Sequence, residues 1–388
     1  MNSSEIKHIL DSKKYRIINL VKSLNYQFDS YGRKKISYSE KMNEKEIKDF
    51  FALLNEFIKD DNKLCFVILN EYFFSYHIVI DEECFKLIID SAKLITENHP
   101  SVVLLINLCH KIDNKYVDKK YIQNMELYYK KIRDSDDNVI WNISSHELKR
   151  IFKKNNFCYF ANETFVFFRG SILYTYKKST HCNELLDYSL YNYIIGFGLD
   201  EINDELSGEL LEIAKLFSNN LSIEICYDIQ KNIKAKSFQN AVFNEIDTEF
   251  EQLKELRNKV QNYSKKKLII IQSNITNIFK QIDIFPNDVI ISKSDPVQEL
   301  VFSIKNKNEI DNINYTRIHY QNLINAEISK EIPTENKKKR FANGLNEMNG
   351  VSEQYNRYKL LKEYKSTKYS RQLGQNHYII SIYNDLNE

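Results

Sequence analysis

Leu64-Cys65-Phe66-Val67-Ile68-Leu69 runs straight into Asn70-Glu71. Six consecutive apolar residues, without the alternation of a half-exposed strand, suit a strand covered on both faces. Such strands belong to sheets with helices packed against them, so this stretch decides for the α/β class. Its neighbours agree. Upstream, Asn43 and Glu46 form a capping box, and Ile47, Phe50, Phe51, Leu54, Phe57 and Ile58 fall at helical spacing. Downstream, residues 82–97 read as a second helix and 101–109 as a second buried strand. With a first strand over 34–42, the order is β-α-β-α-β, a layered sheet with helices on it.

Outward from this unit, residues 5–24 read as an N-terminal helix. Residues 110–155 are polar and partly helical. Strand signals at 157–160 and 164–168, a turn at Arg169-Gly170-Ser171 and a returning strand over 172–176 make a hairpin that leads into Lys177-Lys178. A short strand over 221–226 ends in Tyr227-Asp228. Phe243, Ile246, Phe250, Leu253, Leu256 and Val260 then mark a long amphipathic helix. Strands follow at 268–271, 289–291, 300–304 and 315–320, and from residue 328 the pattern weakens into a polar extension. The expected division is a helical segment over 1–33, a main domain over 34–327 and an extension over 328–388.

Composition excludes several classes. Gly and Pro number only 8 and 4, about 3% of 388 residues against ~12% in average usage, which removes collagen-like and linker-rich designs. Twenty-six Tyr and 23 Phe supply core mass instead. Lys+Arg 55 against Asp+Glu 53 gives no global field for nucleic acid or anionic lipid. The six cysteines contain no Cys-x-x-Cys pair, so neither a zinc cluster nor a disulfide framework is expected. Cys65, Cys109, Cys158 and Cys226 lie in apolar runs, as buried free thiols do. Without a signal-peptide pattern or an apolar run long enough to span a bilayer, the expectation is a soluble cytoplasmic protein, with signal-less export left open.

Three polar residues stand where buried strands stop: Glu71, Lys178 and Cys226. Side chains just past strand ends leave the packed layer and gather at a crevice. Period-2 alternation places Leu221, Ile223 and Ile225 on one face and Ser222, Glu224 and Cys226 on the other. A thiol, a carboxylate and an ammonium together suit acyl transfer. The thiolate attacks an amide or nitrile carbon, the carboxylate moves protons, and the ammonium steadies the oxyanion.

In three segments the sequence resembles the nitrilase, or carbon–nitrogen hydrolase, superfamily. They are Val67-Ile68-Leu69-Asn70-Glu71-Tyr72-Phe73, Asn162-Glu163-Thr164 through Tyr176-Lys177-Lys178, and Glu224-Ile225-Cys226-Tyr227-Asp228. The resemblance implies an α-β-β-α sandwich with Glu71 as general base, Lys178 as oxyanion stabiliser and Cys226 as nucleophile. It implies that Glu184 helps orient substrate, with Tyr227 and Glu224 lining the pocket. Glu224 reads equally as an ion-paired structural group. The implied substrate is a small-molecule amide or nitrile, with no metal or cofactor, and the implied assembly is a homodimer. Departures include Asn70 where the family has Pro, and no Pro-Glu after Asp228. The competing reading is a catalytically idle binding protein of the same fold, linked to nucleic acid through Arg357, Lys359, Lys362, Lys365, Lys368 and Arg371 interleaved with tyrosines.

Overall fold

The computed structural model describes residues 1–22, 26–28, 34–36, 42–58, 63–74, 79–112, 158–178, 191–193, 200–225, 266–273, 289–294, 299–304, 361–374, 376–384 and 386. Helix α1 (Ser3–Ser12) begins with a capping box between Asn2 and Glu5 and stops where Lys13 turns left-handed at φ 55°. The next residues form strand β1 (Arg16–Lys22). This corrects the helix expected over residues 5–24. Ile17, Val21 and their neighbours fit a helical stripe, but they equally fit an all-buried strand. Pairing settles it, because β1 is zipped on both sides, parallel to β4 (Cys65–Leu69) and antiparallel to β16 (Asn376–Tyr383).

Strands β2 (Tyr26–Phe28) and β3 (Lys34–Ile36) form a small antiparallel pair. The strand expected over 34–42 is described only in its first three residues. Helix α2 (Glu44–Phe57) carries the expected capping box at Asn43 and Glu46. Helix α3 (Glu82–Asn98) and strand β5 (Val102–Ile112) follow as the sequence indicates. The hairpin is β6 (Cys158–Phe168) and β7 (Ser171–Lys177). Its loop residues, Arg169 and Gly170, have φ of 48° and 72°, the paired left-handed geometry whose twist matches that of two-residue hairpins.

Strand β8 (Tyr191–Tyr193) pairs with β6, and β9 (Asp200–Ile202) with β7. Among the described residues the large sheet thus has nine strands, ordered β15-β16-β1-β4-β5-β6-β7-β9 with β8 beside β6, where β15 is Thr367–Leu373. Helix α4 (Gly208–Asn220) is not among the elements read from the sequence. Its Ile213, Ala214 and Phe217, at 3–4 spacing, are the signal for it. The second sheet has, among the described residues, five strands: β10 (Leu221–Ile225), β11 (Leu268–Gln272), β12 (Ile290–Ser294), β13 (Leu300–Ile304) and β14 (Leu361–Glu363). Strands β10, β11 and β12 run parallel, as do β1, β4 and β5 in the first sheet.

Alternation along each strand divides the core in two. Val67, Leu69, Leu104, Ile106, Phe165 and Phe167 point to one side, where α2 and α3 cover them with Phe50, Leu54 and Ile88. Phe66, Ile68, Val103, Leu105, Val166 and Phe168 point to the other, against Ile223, Ile225, Leu268, Ile270 and Ile290 of the five-stranded sheet. The chain is therefore mixed α/β, with α2 and α3 on one face of the large sheet and, on the other, the second sheet together with α1 and α4. The helix expected around 243–260 and the strand expected over 315–320 lie outside the described residues.

The ends of the chain are built into these sheets. The segments divided off as 1–33 and 328–388 contribute β1, β14, β15 and β16, so the C-terminal stretch is not wholly a polar extension. The pattern His377-Tyr378-Ile379-Ile380-Ser381-Ile382-Tyr383 is the strand signal passed over there. Of the basic and aromatic run, Tyr364 is buried, Lys368 lies 3.3 Å from Glu299, and the Arg371 guanidinium sits over the Phe57 and Tyr369 rings. Among the described residues, no helix is long and apolar enough to cross a membrane.

Candidate active site

Glu71 comes two residues after β4 and Lys178 one residue after β7. Strands β5 and β6 lie between these two in the sheet, and 107 residues separate the pair in sequence. Yet Lys178 Nζ donates to Glu71 Oε1 over 2.8 Å, and both side chains are almost wholly removed from solvent. A buried ion pair of this kind stands only where geometry and further hydrogen bonds repay the desolvation of both charges.

The further bonds come from amides. Asn162 Nδ2, on β6, donates to the same Glu71 Oε1 at 2.9 Å. Asn162 Oδ1 accepts from Asn107 Nδ2, on β5, at 2.6 Å. Asn107 Oδ1 in turn accepts the backbone N–H of Tyr72 at 3.0 Å, beside the carboxylate where the circuit began. Tyr72 has φ 56°, a conformation that non-glycine residues adopt at a cost of about 1 kcal/mol or more. The Asn107 amide holds that turn, and the turn sets the direction in which Glu71 leaves the strand.

Asn70, where the resembling family has Pro, has a physical role of its own. Its N–H donates to Leu20 O at 3.2 Å, which proline could not do. Its Oδ1 accepts the Lys22 N–H at 3.0 Å, and its Nδ2 donates to Glu71 O at 2.8 Å. The side chain thereby satisfies backbone groups where the β1–β4 ladder ends.

From the second sheet, Gln272 closes the arrangement. Its Nε2 donates to Leu69 O and its Oε1 accepts from Thr164 Oγ1, each at 2.6 Å. Thr164 Oγ1 also lies 3.4 Å from Asn107 Nδ2. Gln272 pairs with Ile225, the last residue of β10.

Sequence reasoning named Glu71 and Lys178, and the fold brings those two together. Glu224 is fully buried on β10 and accepts from Ser222 Oγ at 2.9 Å, on the face alternate to Ile225. Cys226, Tyr227 and Glu184 lie outside the described residues. Asn107, Asn162, Thr164 and Gln272 were passed over as site residues. For Asn107 the signal is a single amide inside an apolar strand, Val103-Leu104-Leu105-Ile106-Asn107-Leu108, and for Gln272 an amide at the end of one, because a buried polar group must find a partner.

A second charged group uses the opposite side of the same hairpin. Glu163 lies 2.8 Å from His110 Nε2 and 3.6 Å from Lys177 Nζ, and Lys177 also meets Glu201. The His110 ring stacks on Phe85 at 4.7 Å. Burial works to raise the Glu163 pKa, but Lys177 and His110 overcome it and hold the carboxyl at about 2. Cys65, Cys84 and Cys109 are buried, and burial, only partly countered by Arg16, pushes the Cys65 thiol up to about 12. Among the described residues, no three His, Cys, Asp or Glu side chains converge as metal ligands would.

No family model matches this chain, and no curated protein matches it. Among solved structures, it is similar to the crystal structure of a glutamine-dependent NAD(+) synthetase from Cytophaga hutchinsonii. The identity is 9% and the TM-score 0.31, over 75% of this chain and 38% of that one. This chain thus matches well under half the length of that protein, and a likeness so low carries no argument about chemistry.

Proposed function

We propose that this protein is a cysteine-dependent hydrolase of a non-peptide carbon–nitrogen bond, acting on a small carboxamide. The observation that carries the reading is the buried Glu71–Lys178 pair, joined at 2.8 Å from residues 107 apart and gripped by the Asn162 amide. A proton-transferring carboxylate and an oxyanion-stabilising ammonium are two of the three groups that thioester chemistry needs. Cys226, the residue after Ile225, supplies the third. The sequence resemblance supports the same three roles and an α-β-β-α sandwich, with Glu184, Tyr227 and Glu224 toward the substrate, a homodimer as the assembly and no cofactor.

In this mechanism Glu71 takes the thiol proton of Cys226, and the sulfur attacks the amide carbon. Charge develops on the former carbonyl oxygen, where Lys178 stabilises it. The tetrahedral intermediate collapses to a thioester as the C–N bond breaks, and the nitrogen leaves as ammonia with the proton held by Glu71. Water then gives a proton to Glu71 and attacks the thioester. The carboxylic acid departs and the thiol is restored.

The test has two parts. Iodoacetamide, followed by peptide mapping, should label Cys226 well before Cys65, whose thiol is held protonated by burial. Ammonia release from a panel of primary carboxamides and a nitrile set should then identify a substrate whose turnover is abolished by Cys226→Ala, Glu71→Gln or Lys178→Met. Turnover that survives Cys226→Ala in a folded protein overturns the reading. So does a native chain that turns over no member of either panel and labels no faster at Cys226 than at Cys65, the outcome expected of an idle binding protein.

A further inference from the structure

The two halves of the proposed site belong to different sheets. Glu71 and Lys178 follow strands of the nine-stranded sheet, whereas Cys226 follows the last residue of β10 in the five-stranded one. Stacked sheets lie ~10 Å apart and share no backbone ladder, so side chains must set their relative placement. At this end of the interface, among the described residues, Ser292, Ser294 and Gln272 of the five-stranded sheet reach across to the other, Ser292 Oγ donating to Asn19 Oδ1 at 2.9 Å. Ser294 Oγ has one hydrogen and two weak acceptors, Leu20 O at 3.3 Å and Ile68 O at 3.5 Å. Gln272 uses both ends of a rigid planar amide, on Leu69 O and on Thr164 Oγ1, each at 2.6 Å.

What Gln272 touches gives it its significance. Leu69 is two residues before Glu71. Thr164 neighbours the Asn107 amide, which holds both Tyr72 and Asn162 on either side of the carboxylate. On its own sheet, Gln272 is in register with Ile225, the residue before Cys226. One amide therefore connects the strand that leads to the thiol with both supports of the base.

We infer that Gln272 is a positioning residue: it fixes the reach between the end of β10 and the Glu71 carboxylate. This inference rests on the hydrolase reading above. The choice of glutamine follows from what a buried amide demands. A sheet spacing or twist that misplaces either end leaves a donor or acceptor unpaired, so the amide specifies one arrangement where an apolar contact would accept several. Asparagine, one methylene shorter, cannot span the same two partners.

The experiment uses the full chain and needs no substrate. The rate of Cys226 alkylation by iodoacetamide is followed against pH by peptide mapping. A carboxylate close to a thiol raises its titration midpoint, so Glu71→Gln should lower that midpoint by about one pH unit or more. No movement in this single variant would sink the hydrolase reading, and the inference with it. In a Gln272→Met background the same Glu71→Gln step should move the midpoint by less than about 0.3 unit, a loss of coupling that lowered stability alone would not produce. A full one-unit movement there overturns the role of Gln272 and leaves the hydrolase reading standing. Ser294→Ala, which removes the neighbouring cross-sheet bond, should lower the melting temperature and keep the one-unit movement. Loss of the movement in Ser294→Ala would show that sheet docking in general, and not Gln272, sets the distance. Should Gln272→Met fail to fold, Thr164→Val removes the donor to Gln272 Oε1, together with the long 3.4 Å contact to Asn107 Nδ2, and is judged by the same numbers.

Discussion

Two adjacent lysines at the end of the β6–β7 hairpin each take a buried glutamate, in opposite directions. Lys177 meets Glu163 on the side of β6 that faces α3, and its side chain keeps 18% of its exposure. That group runs outward: His110, Glu163, Lys177 and then Glu201, which is 46% exposed. Lys178 meets Glu71 where the two side chains keep 1% and 2%, and the amides of Asn162, Asn107 and Gln272 surround the pair. The difference separates a charge network open to solvent at one end from a single pair sealed inside the fold. Around Glu163, several charges share the load and solvent is near. Around Glu71, one ammonium balances the carboxylate, and the Asn162 amide fixes the geometry of the pair away from solvent.

Substitutions at the two groups should differ most at Lys178. Lys178→Met leaves the Glu71 carboxylate buried without its cation and should cost about 3–5 kcal/mol in urea unfolding, with part of the loss recovered in the double variant Glu71→Gln/Lys178→Met. Lys177→Met, the matching change in the outward group, should cost less than half as much. An equal cost at the two sites would erase the distinction.

Asn107→Ala removes the acceptor for the Tyr72 N–H and the donor to Asn162 together. The expected loss is about 2–3 kcal/mol, read by the same unfolding curves. If the loss stays below ~1 kcal/mol, the amide circuit does not hold Glu71 in place.

The Glu163 group makes a prediction about pH. Its carboxyl, ordinarily at 4.5, is held at about 2 in the folded chain. A depressed carboxylate contributes stability that is fully present above the unfolded value and lost as pH falls toward the folded one. Glu163→Gln should therefore cost about 1–2 kcal/mol near neutral pH and progressively less between about pH 4.5 and 2. A cost that does not vary with pH would show that packing, and not charge, accounts for it.

The smallest effect belongs to the hairpin turn that delivers both lysines. Gly170 has φ 72°, and a Cβ there would sit 3.3 Å from the Cβ of Glu97. Gly170→Ala should cost about 1 kcal/mol, measured as a shift in melting temperature, without altering either lysine's partner.

Local pattern was enough for α2, α3, β4, β5 and the β6–β7 hairpin, because each carries its own signal: a capping box, a helical stripe, an apolar run or a turn pair. It failed at β1, where one run of Ile, Leu and Val satisfies two periodicities and the deciding partners are residues 65–69 and 378–383. It also failed at β15 and β16, read as a polar tail because β15 is an exposed strand whose pairing with β16 is not written in its composition. Within the site, Glu71 and Lys178 were legible because each ends a recognisable strand. Asn107 and Gln272 were not read as site residues, since a lone amide in an apolar run says that it needs a partner but not which one.

By itself, the order of residues determined the class of the protein, most of its helices and strands, and the two charged groups at their ends. Those depend on contacts within a few residues, or on what a strand must be to lie buried. The folded molecule alone decided that β1 and β16 lie side by side and that Gln272 joins the sheets beside the carboxylate. Each of these joins groups remote in sequence, and which groups meet is fixed by strand register and by the pairing that buried polar atoms require.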